Sequence, residues 1–449
     1  MSHWAILSYN DNNGLNEVLN HAGVHKNALL AVRIPTVRLQ KNQTLAIIGQ
    51  GYVGLPLAMA AVAAGWAVIG VDNIEAKVNQ INSGSSPVED ISDQQLNDAL
   101  KNGIFRATTD FSQISSACVI AICVPTPLDK SHEPDLGPLQ DATTRIAPYL
   151  SNESLVISES TSYPGTLRDV IIPIIERLKS EDTKKLFFAS APERVNPGDL
   201  IWNQKNTPRL IGGVNLESKN RALEFYTSIC DEVVEVSTPE VAEAAKLLEN
   251  TFRLVNIALV NEFTQICSTA GINVQEVIDA ASTKPYGFMG FRPGVGVGGH
   301  CIPVDPLYLT WWARQSGTRA RFVESADRIN HEMPKYVAER ALGLLHSKSA
   351  NPRVLILGVA YKAGVGDVRE TPALELREQL VARGAQVAWY DPLVPMWQDS
   401  MPVDLNWECD VAILATNQPG IEIMQLVARG VQILDCTNSF RNTTGVTPL

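Results

Sequence analysis

What this sequence lacks narrows it first. Its seven cysteines include no CxxC pair, and no His/Cys group stands at metal-ligand spacing, which argues against a disulfide framework and against structural zinc. Basic residues are the minority, 37 Lys and Arg against 48 Asp and Glu, for a formal charge of -11. That balance excludes the broad basic face that nucleic acid or an anionic membrane requires, while local pockets for phosphate stay open. No segment reads as a membrane span, which takes about 20 consecutive apolar residues. Met1 to Asn20 has neither a basic start nor an apolar signal core. The expectation is a soluble cytoplasmic protein with no metal.

What is there is α/β rhythm. A chain of 449 residues exceeds one core and should form two or three domains. Residues 1–42, polar and Asn-rich at first, carry no readable function and are taken as an extension. Then Thr44-Leu45-Ala46-Ile47-Ile48 reads as a strand, Gly49-Gln50-Gly51-Tyr52-Val53-Gly54 follows at once, and Leu55 to Ala64 reads as a helix. A second strand closes on Asp72. Strand, GxGxxG, helix and an acidic residue about 20 positions on make the full dinucleotide fingerprint. Gly49 permits the tight turn, Gly51 lets the backbone approach a pyrophosphate, and Gly54 lets helix and strand pack. Asp72 would accept from the adenosine ribose hydroxyls and repel a 2′-phosphate, so NAD is expected rather than NADP.

Further strands end near Pro125-Thr126-Pro127, near Ser160-Thr161 and at Glu193-Arg194. Ligands of a parallel sheet lie at the carboxyl ends of its strands, which puts Thr126, Glu193 and Arg194 at the site edge; taken alone, the alternative for the Glu193-Arg194 pair is a solvated surface pair. From Ser237 to Gly271 a capping-box spacing introduces one helix of about 30 residues, expected to be buried on most sides and to serve as a spine and dimer interface. Lys246 and Asn250 lie four apart on it, hence on one face, either as site residues or as a surface lysine with a polar neighbour. Next comes Gly294-Val295-Gly296-Val297-Gly298-Gly299-His300-Cys301-Ile302-Pro303-Val304-Asp305-Pro306. Four glycines in six positions are costly to order, so a ligand close to the backbone is expected, with Cys301 as nucleophile and Asp305 handling a proton or water. The alternative is a turn with a buried thiol. The last third repeats the first in outline, from the strand Arg353 to Gly358 to a second closing aspartate, Asp391.

At this point the motifs GQGYVGLPLA, VPTP, PERVNPG, KLLENTF, GVGVGGHCIPVDP and YKAGVGDVRET resemble, in order and spacing, the UDP-glucose/GDP-mannose dehydrogenase family over about residues 43–445. The resemblance implies two Rossmann-like doubly wound domains joined by a long central helix and a helical middle domain. Expected bounds are 43–235 for the NAD domain, 236–335 for the middle and 336–449 for a UDP-sugar domain. It implies two successive NAD-dependent oxidations at C6 of a UDP-sugar, through a Cys301 thiohemiacetal and thioester, supplying precursors of surface polysaccharides, in a homodimer. Lys246 and Asn250 would face the oxyanion, and Asp305 with Glu193 would place the hydrolytic water. Thr126 would stand near the nicotinamide. Tyr52 and Val53 in the glycine turn, Lys77 near the ribose and Arg369 would contact the cofactor, while Arg292, Gly296, Arg194 and Lys362 would contact substrate. Pro197 stands where UDP-glucose enzymes carry a second glutamate, so PERVNPG looks like the branch acting on UDP-N-acetylhexosamines. The run Cys301 to Trp311 leans towards UDP-N-acetylglucosamine.

Overall fold

The computed structural model describes residues 43–195, 201–345 and 351–449. The extension read at 1–42 and the Asn196-Pro197-Gly198 end of the PERVNPG motif lie outside the described residues. No helix among the described residues is long and apolar enough to cross a membrane. The chain divides into two compact units: one holds the described residues up to Glu249 together with Leu307–Arg319, the other holds Asn250–Pro306 and Ala320–Leu449.

In the first unit an eight-stranded sheet is built from β1 (Thr44–Ile48), β2 (Ala67–Val71), β3 (Phe105–Thr108), β4 (Val119–Ile122), β5 (Leu155–Ser158), β6 (Phe187–Ser190), β7 (Arg209–Gly213) and β8 (Val233–Glu235). Its order is β3-β2-β1-β4-β5-β6-β7-β8, parallel except where β7 runs against β6. Strand order reverses between β1 and β4, the crevice where a doubly wound sheet takes its ligand. Alternation along β1 explains the two cores: Leu45 and Ile47 face one, Ala46 and Ile48 the other, as successive side chains of a strand must. Helices cover both faces, so these strands read as continuous apolar runs rather than alternating ones.

The second unit carries a smaller sheet, all parallel, of β9 (Arg353–Leu357), β10 (Gln386–Tyr390), β11 (Val411–Leu414), β12 (Gln432–Asp435) and β13 (Val446–Pro448), in the order β10-β9-β11-β12-β13. Its core takes Val354 and Ile356 from β9 together with Met333, Val337 and Ala341 of the helix Arg321–Gly343. The protein is thus α/β, with two Rossmann-like sheets and a helical middle.

The long helix runs from Pro239 to Thr269, 31 residues, about 46 Å at 1.5 Å per residue. Burial on most sides does not hold within one chain. Leu247, Leu254 and Val260 are buried, but Leu248 and Leu259 are 65% and 61% exposed. Phe252, Phe263 and Ile266 are exposed as well, and steps of 4, 7, 4 and 3 from Leu248 keep all five on one face. The helix is apolar on two sides and covered on one.

Candidate active site

In the first unit the glycine turn is built from backbone. Gly49 takes φ +96, and a Cβ there would stand 2.4 Å from the Cys123 carbonyl oxygen. A Cβ on Gly54 would stand 1.8 Å from the Gly49 oxygen, whereas Gly51 has nothing within 4 Å of that position. The helix Gly54–Ala63 begins with no side-chain cap, so the positive end of its dipole faces the turn without a side chain to offset it, although Leu55 N–H is bonded to the Gly51 carbonyl at 3.1 Å and Pro56 has none. Asp72 is buried and accepts from the Gln50 N–H at 2.9 Å, the Ile74 N–H at 3.0 Å and the Lys77 ammonium at 2.8 Å. An open glycine, a helix start without a side-chain cap and a carboxylate at the end of β2 fit a dinucleotide. Tyr52 and Val53 pack partly against the core beside the turn. Thr126 is half-buried, four residues past the end of β4.

Beyond β6 the charges are engaged by the protein itself. Glu193 accepts on Oε2 from Arg209 at 2.9 Å and from Gln204 at 2.6 Å, and on Oε1 from the N–H groups of Arg194 and Val195 at 2.6 Å each. Arg209 also reaches Glu159 at 3.0 Å, and the Tyr226 hydroxyl donates to Glu159. Burial pushes Glu159 up to about 7, against the pull of Arg209. Burial acts upward on Glu193 too, but Arg209 and its hydrogen bonds outweigh it and hold that carboxyl below its ordinary value. Arg194 is paired with Glu249 at 2.6 Å and donates to the Pro208 carbonyl at 2.6 Å. Lys246 is buried on the long helix.

In the second unit Asn250, also buried, donates from Nδ2 to Asp305 Oδ2. Asp305 opens the helix Asp305–Gln315, and its N–H bonds the Cys301 carbonyl at 2.8 Å. One turn of chain therefore ties Cys301 to Asp305, and Asp305 to Asn250. What lies against the loop glycines is the chain itself. A Cβ on Gly298 would meet the Glu370 oxygen, Pro372 and Tyr361 at 2.8 Å each. One on Gly299 would stand 2.8 Å from the Tyr361 ring, and one on Gly296 3.1 Å from the Asn330 oxygen. These three glycines let the loop lie flat on the segment Tyr361–Pro372, whereas Gly294 is open. His300 Nδ1 stands 3.3 Å from Arg369 Nη2, and Arg369 is itself held by Asp367. Arg292 pairs with Asp279 and donates to Gln275 at 3.0 Å. Lys362 is half-buried in the same segment as Tyr361.

Arg209, Glu159 and Glu243 form no part of the sequence reading. Each left a signal: Arg209 opens an otherwise apolar strand, Glu159 ends one, and Glu243 stands three residues before Lys246 on the same helix face.

Comparison with known proteins fits this architecture. The NAD binding domain of the UDP-glucose/GDP-mannose dehydrogenase family matches residues 43–230, its central domain 240–332 and its UDP binding domain 355–442. The chain belongs to the UDP-glucose/GDP-mannose dehydrogenase family and is an NAD-dependent oxidoreductase. It is similar to a UDP-N-acetyl-D-mannosamine dehydrogenase of Methanococcus vannielii, 36% identical over 79% of this chain and 80% of that one. A UDP-N-acetyl-D-glucosamine 6-dehydrogenase of Pseudomonas aeruginosa is 33% identical over 79% and 84%. The solved UDP-D-ManNAc dehydrogenase of Pyrococcus horikoshii superposes with a TM-score of 0.82 at 32% identity, over 90% of this chain and 98% of that one.

Proposed function

We propose that the chain oxidises the C6 hydroxymethyl of a UDP-N-acetylhexosamine to a carboxylate in two oxidations that share one thiol. The observation that carries this is the Cys301-Asp305-Asn250 arrangement in a chain with both an NAD-type and a UDP-type domain. NAD, when bound, accepts a hydride in each oxidation. Asp305 and Lys246 are the groups suited to take the hydroxyl proton in the first. Cys301 then adds through Sγ to the C6 aldehyde, and the carbonyl electron pair moves onto oxygen, where Lys246 and Asn250 donate. Loss of the remaining C6 hydrogen with its electron pair, and of the hydroxyl proton, leaves a thioester. Water ordered by Asp305 attacks the acyl carbon, the C–S bond breaks and the thiol is restored, while Glu193, expected from the motif to help place that water, has both oxygens taken by Arg209, Gln204 and two backbone N–H groups. The balance is R–CH2OH + 2 NAD+ + H2O to R–COO− + 2 NADH + 3 H+.

The Cys301 to Trp311 segment favours UDP-N-acetylglucosamine; the relative named for the mannosamine sugar supports the C2 epimer as the second reading. Absorbance at 340 nm with NAD and a panel of UDP-N-acetylglucosamine, UDP-N-acetylmannosamine and UDP-glucose tests both. Two NADH per sugar are expected, with Cys301→Ala making no acid while still binding NAD. One NADH per sugar, or acid formation by Cys301→Ala, overturns the mechanism. In this reading the exposed face through Leu248, Phe252, Leu259, Phe263 and Ile266 joins two copies, a homodimer that light scattering of the purified protein would register.

A further inference from the structure

We propose that Glu243 is a positioning residue for the oxidation, locking the loop Ser160–Gly165 in register with the helix face that carries Lys246. The loop leaves the carboxyl end of β5, in the half of the sheet beyond the strand-order reversal, where the non-adenosine half of a dinucleotide lies. One end of it is fixed at β4: the Ser160 hydroxyl donates to the Val124 carbonyl at 2.7 Å, and the Glu159 and Ser160 N–H groups bond Ile122. The other end is gripped by Glu243. Its Oε2 accepts from Gly165 N–H at 2.7 Å and its Oε1 from Leu167 N–H at 3.2 Å. A carboxyl group from the long helix thus caps the start of the helical segment Leu167–Leu178, a service that its own sequence does not supply. Between the two anchors the Tyr163 ring lies 4.6 Å from that of Trp311.

Fold stability alone is a poor reason for this choice. Glu243 is 2% exposed, and the strongest charges acting on it, Glu240 and Asp169, are carboxylates that oppose its ionisation, while the one cation that also acts on it, Arg168, is paired with Glu240. Burial pushes it up to about 8, the two N–H groups pulling the other way. A buried carboxyl with no ion pair of its own among the described residues costs stability, whereas two backbone bonds to one rigid side chain fix a loop in two directions. Three residues along the same face stands Lys246, so the helix carries the lysine and the loop anchor as one rigid piece.

The inference rests on the oxidation proposed above, and its test separates the two. In Glu243→Gln, one N–H faces the carboxamide NH2 and loses its acceptor. Amide hydrogen exchange over 160–168, measured without substrate, should quicken at least tenfold while the Gly49–Gly54 turn exchanges as before. With substrate, kcat should fall about tenfold with KM for NAD within twofold. The kinetic isotope effect with C6-dideuterated sugar should rise, and the unfolding midpoint should not fall. Glu243→Asp keeps the carboxyl group but is one methylene short, so it should fail in the same way. Unchanged exchange over 160–168, or a loss of kcat that only tracks a lost folded fraction, overturns the role of Glu243. A wild-type protein inert towards every UDP-sugar overturns the proposed reaction, and the exchange result still decides the anchor.

Discussion

Each sheet ends its first strand in a glycine turn closed by an aspartate, and the two turns part company within two residues. Gly49 and Gly358 have φ +96 and +77, and their N–H groups bond the ends of the neighbouring strands, Val71 at 2.7 Å and Tyr390 at 2.9 Å. Asp72 accepts from Gln50 N–H; Asp391 accepts from Val359 and Ala360 N–H at 2.9 and 3.1 Å. Past that point the first turn runs straight into the helix at Gly54. The second has Ala360 in the place of Gly51 and no helix before Pro372. Gln418 fills its loop, donating to Val365 and Lys362 carbonyls and accepting from Gly364 N–H. The shared glycine and aspartate therefore build the turn, while the second and third glycines decide whether its backbone stays open to a ligand, as at Gly51, or is filled by the protein, as by Gln418.

The largest effect that could break this comparison is on the shared architecture. Gly54→Ala sets a Cβ 1.8 Å from the Gly49 oxygen, and Gly358→Ala sets one 1.9 Å from the Thr416 oxygen. Backbone cannot yield as a flexible side chain can, so each substitution should cost more than about 4 kcal/mol or prevent folding. Thermal unfolding of both variants reads this directly. A wild-type midpoint for either would mean that close packing is not what its glycine serves.

How far the sequence alone reached follows the same division. Local signals were enough for the strands, for the turn at Gly49 and for the second, weaker copy ending at Asp391, because strand, turn and helix follow one another within about 30 residues. The long helix was legible in length but not in burial, since a stripe through Leu248 and Leu259 looks the same facing a core or facing a partner. The glycines before Cys301 show why the rest was hidden. A glycine announces that something approaches the backbone, and nothing local says that Tyr361, Glu370 and Pro372, some 60 to 75 residues later, are what approaches. The partners of Arg209 and Glu243 are hidden for the same reason. Each closes a contact between segments far apart in the chain, and a lone charge in an apolar pattern names no partner.

A second difference between the sheets lies in their buried charges, and its expected effect is intermediate. Beside the second sheet, Asp391 and Asp435 are held chiefly by backbone N–H groups, Asp435 by those of Thr437 and Phe440. Beside the first, Arg209 is shared by Glu159 and Glu193. Glu159 has an ordinary value of 4.5, raised to about 7 in the fold, so the folded state keeps a proton that the unfolded chain has lost across that window. Its contribution is whole below pH 4.5 and disappears as pH rises through 7, a slope of at most about 1.4 kcal/mol per pH unit. Glu193 has the opposite sign: its folded value is lowered, so its contribution is present above 4.5 and fades only on acidification below that. Urea midpoints from pH 5 to 8 should therefore fall in the wild type and flatten in Glu159→Gln. Glu243, raised to about 8, supplies the slope that remains, and the double Glu159→Gln, Glu243→Gln variant should lose it. An undiminished slope in the double variant would remove both carboxyls as its source.

The smallest effect on stability is the one that sharpens the comparison most. Gly51 differs from Gly49 and Gly54 in that no protein atom lies within 4 Å of where its Cβ would be, and its φ is not positive. Packing does not need glycine there, and Gly→Ala at a position whose backbone alanine can adopt typically raises stability by about 0.4–1 kcal/mol. Gly51→Ala should keep or slightly raise the unfolding midpoint. A ligand pyrophosphate seated against the Gly51 backbone would meet the new methyl instead, so NAD affinity by fluorescence titration should drop at least tenfold, about 1.4 kcal/mol. Ala360 already carries that methyl in the second turn, where the N–H groups serve Gln418 and Asp391. The substitution would make the first turn resemble the second at its one open position without touching the fold. If Gly51→Ala bound NAD as the wild type does, the openness of the first turn would not be what admits the cofactor, and the contrast drawn between the two sheets would fail.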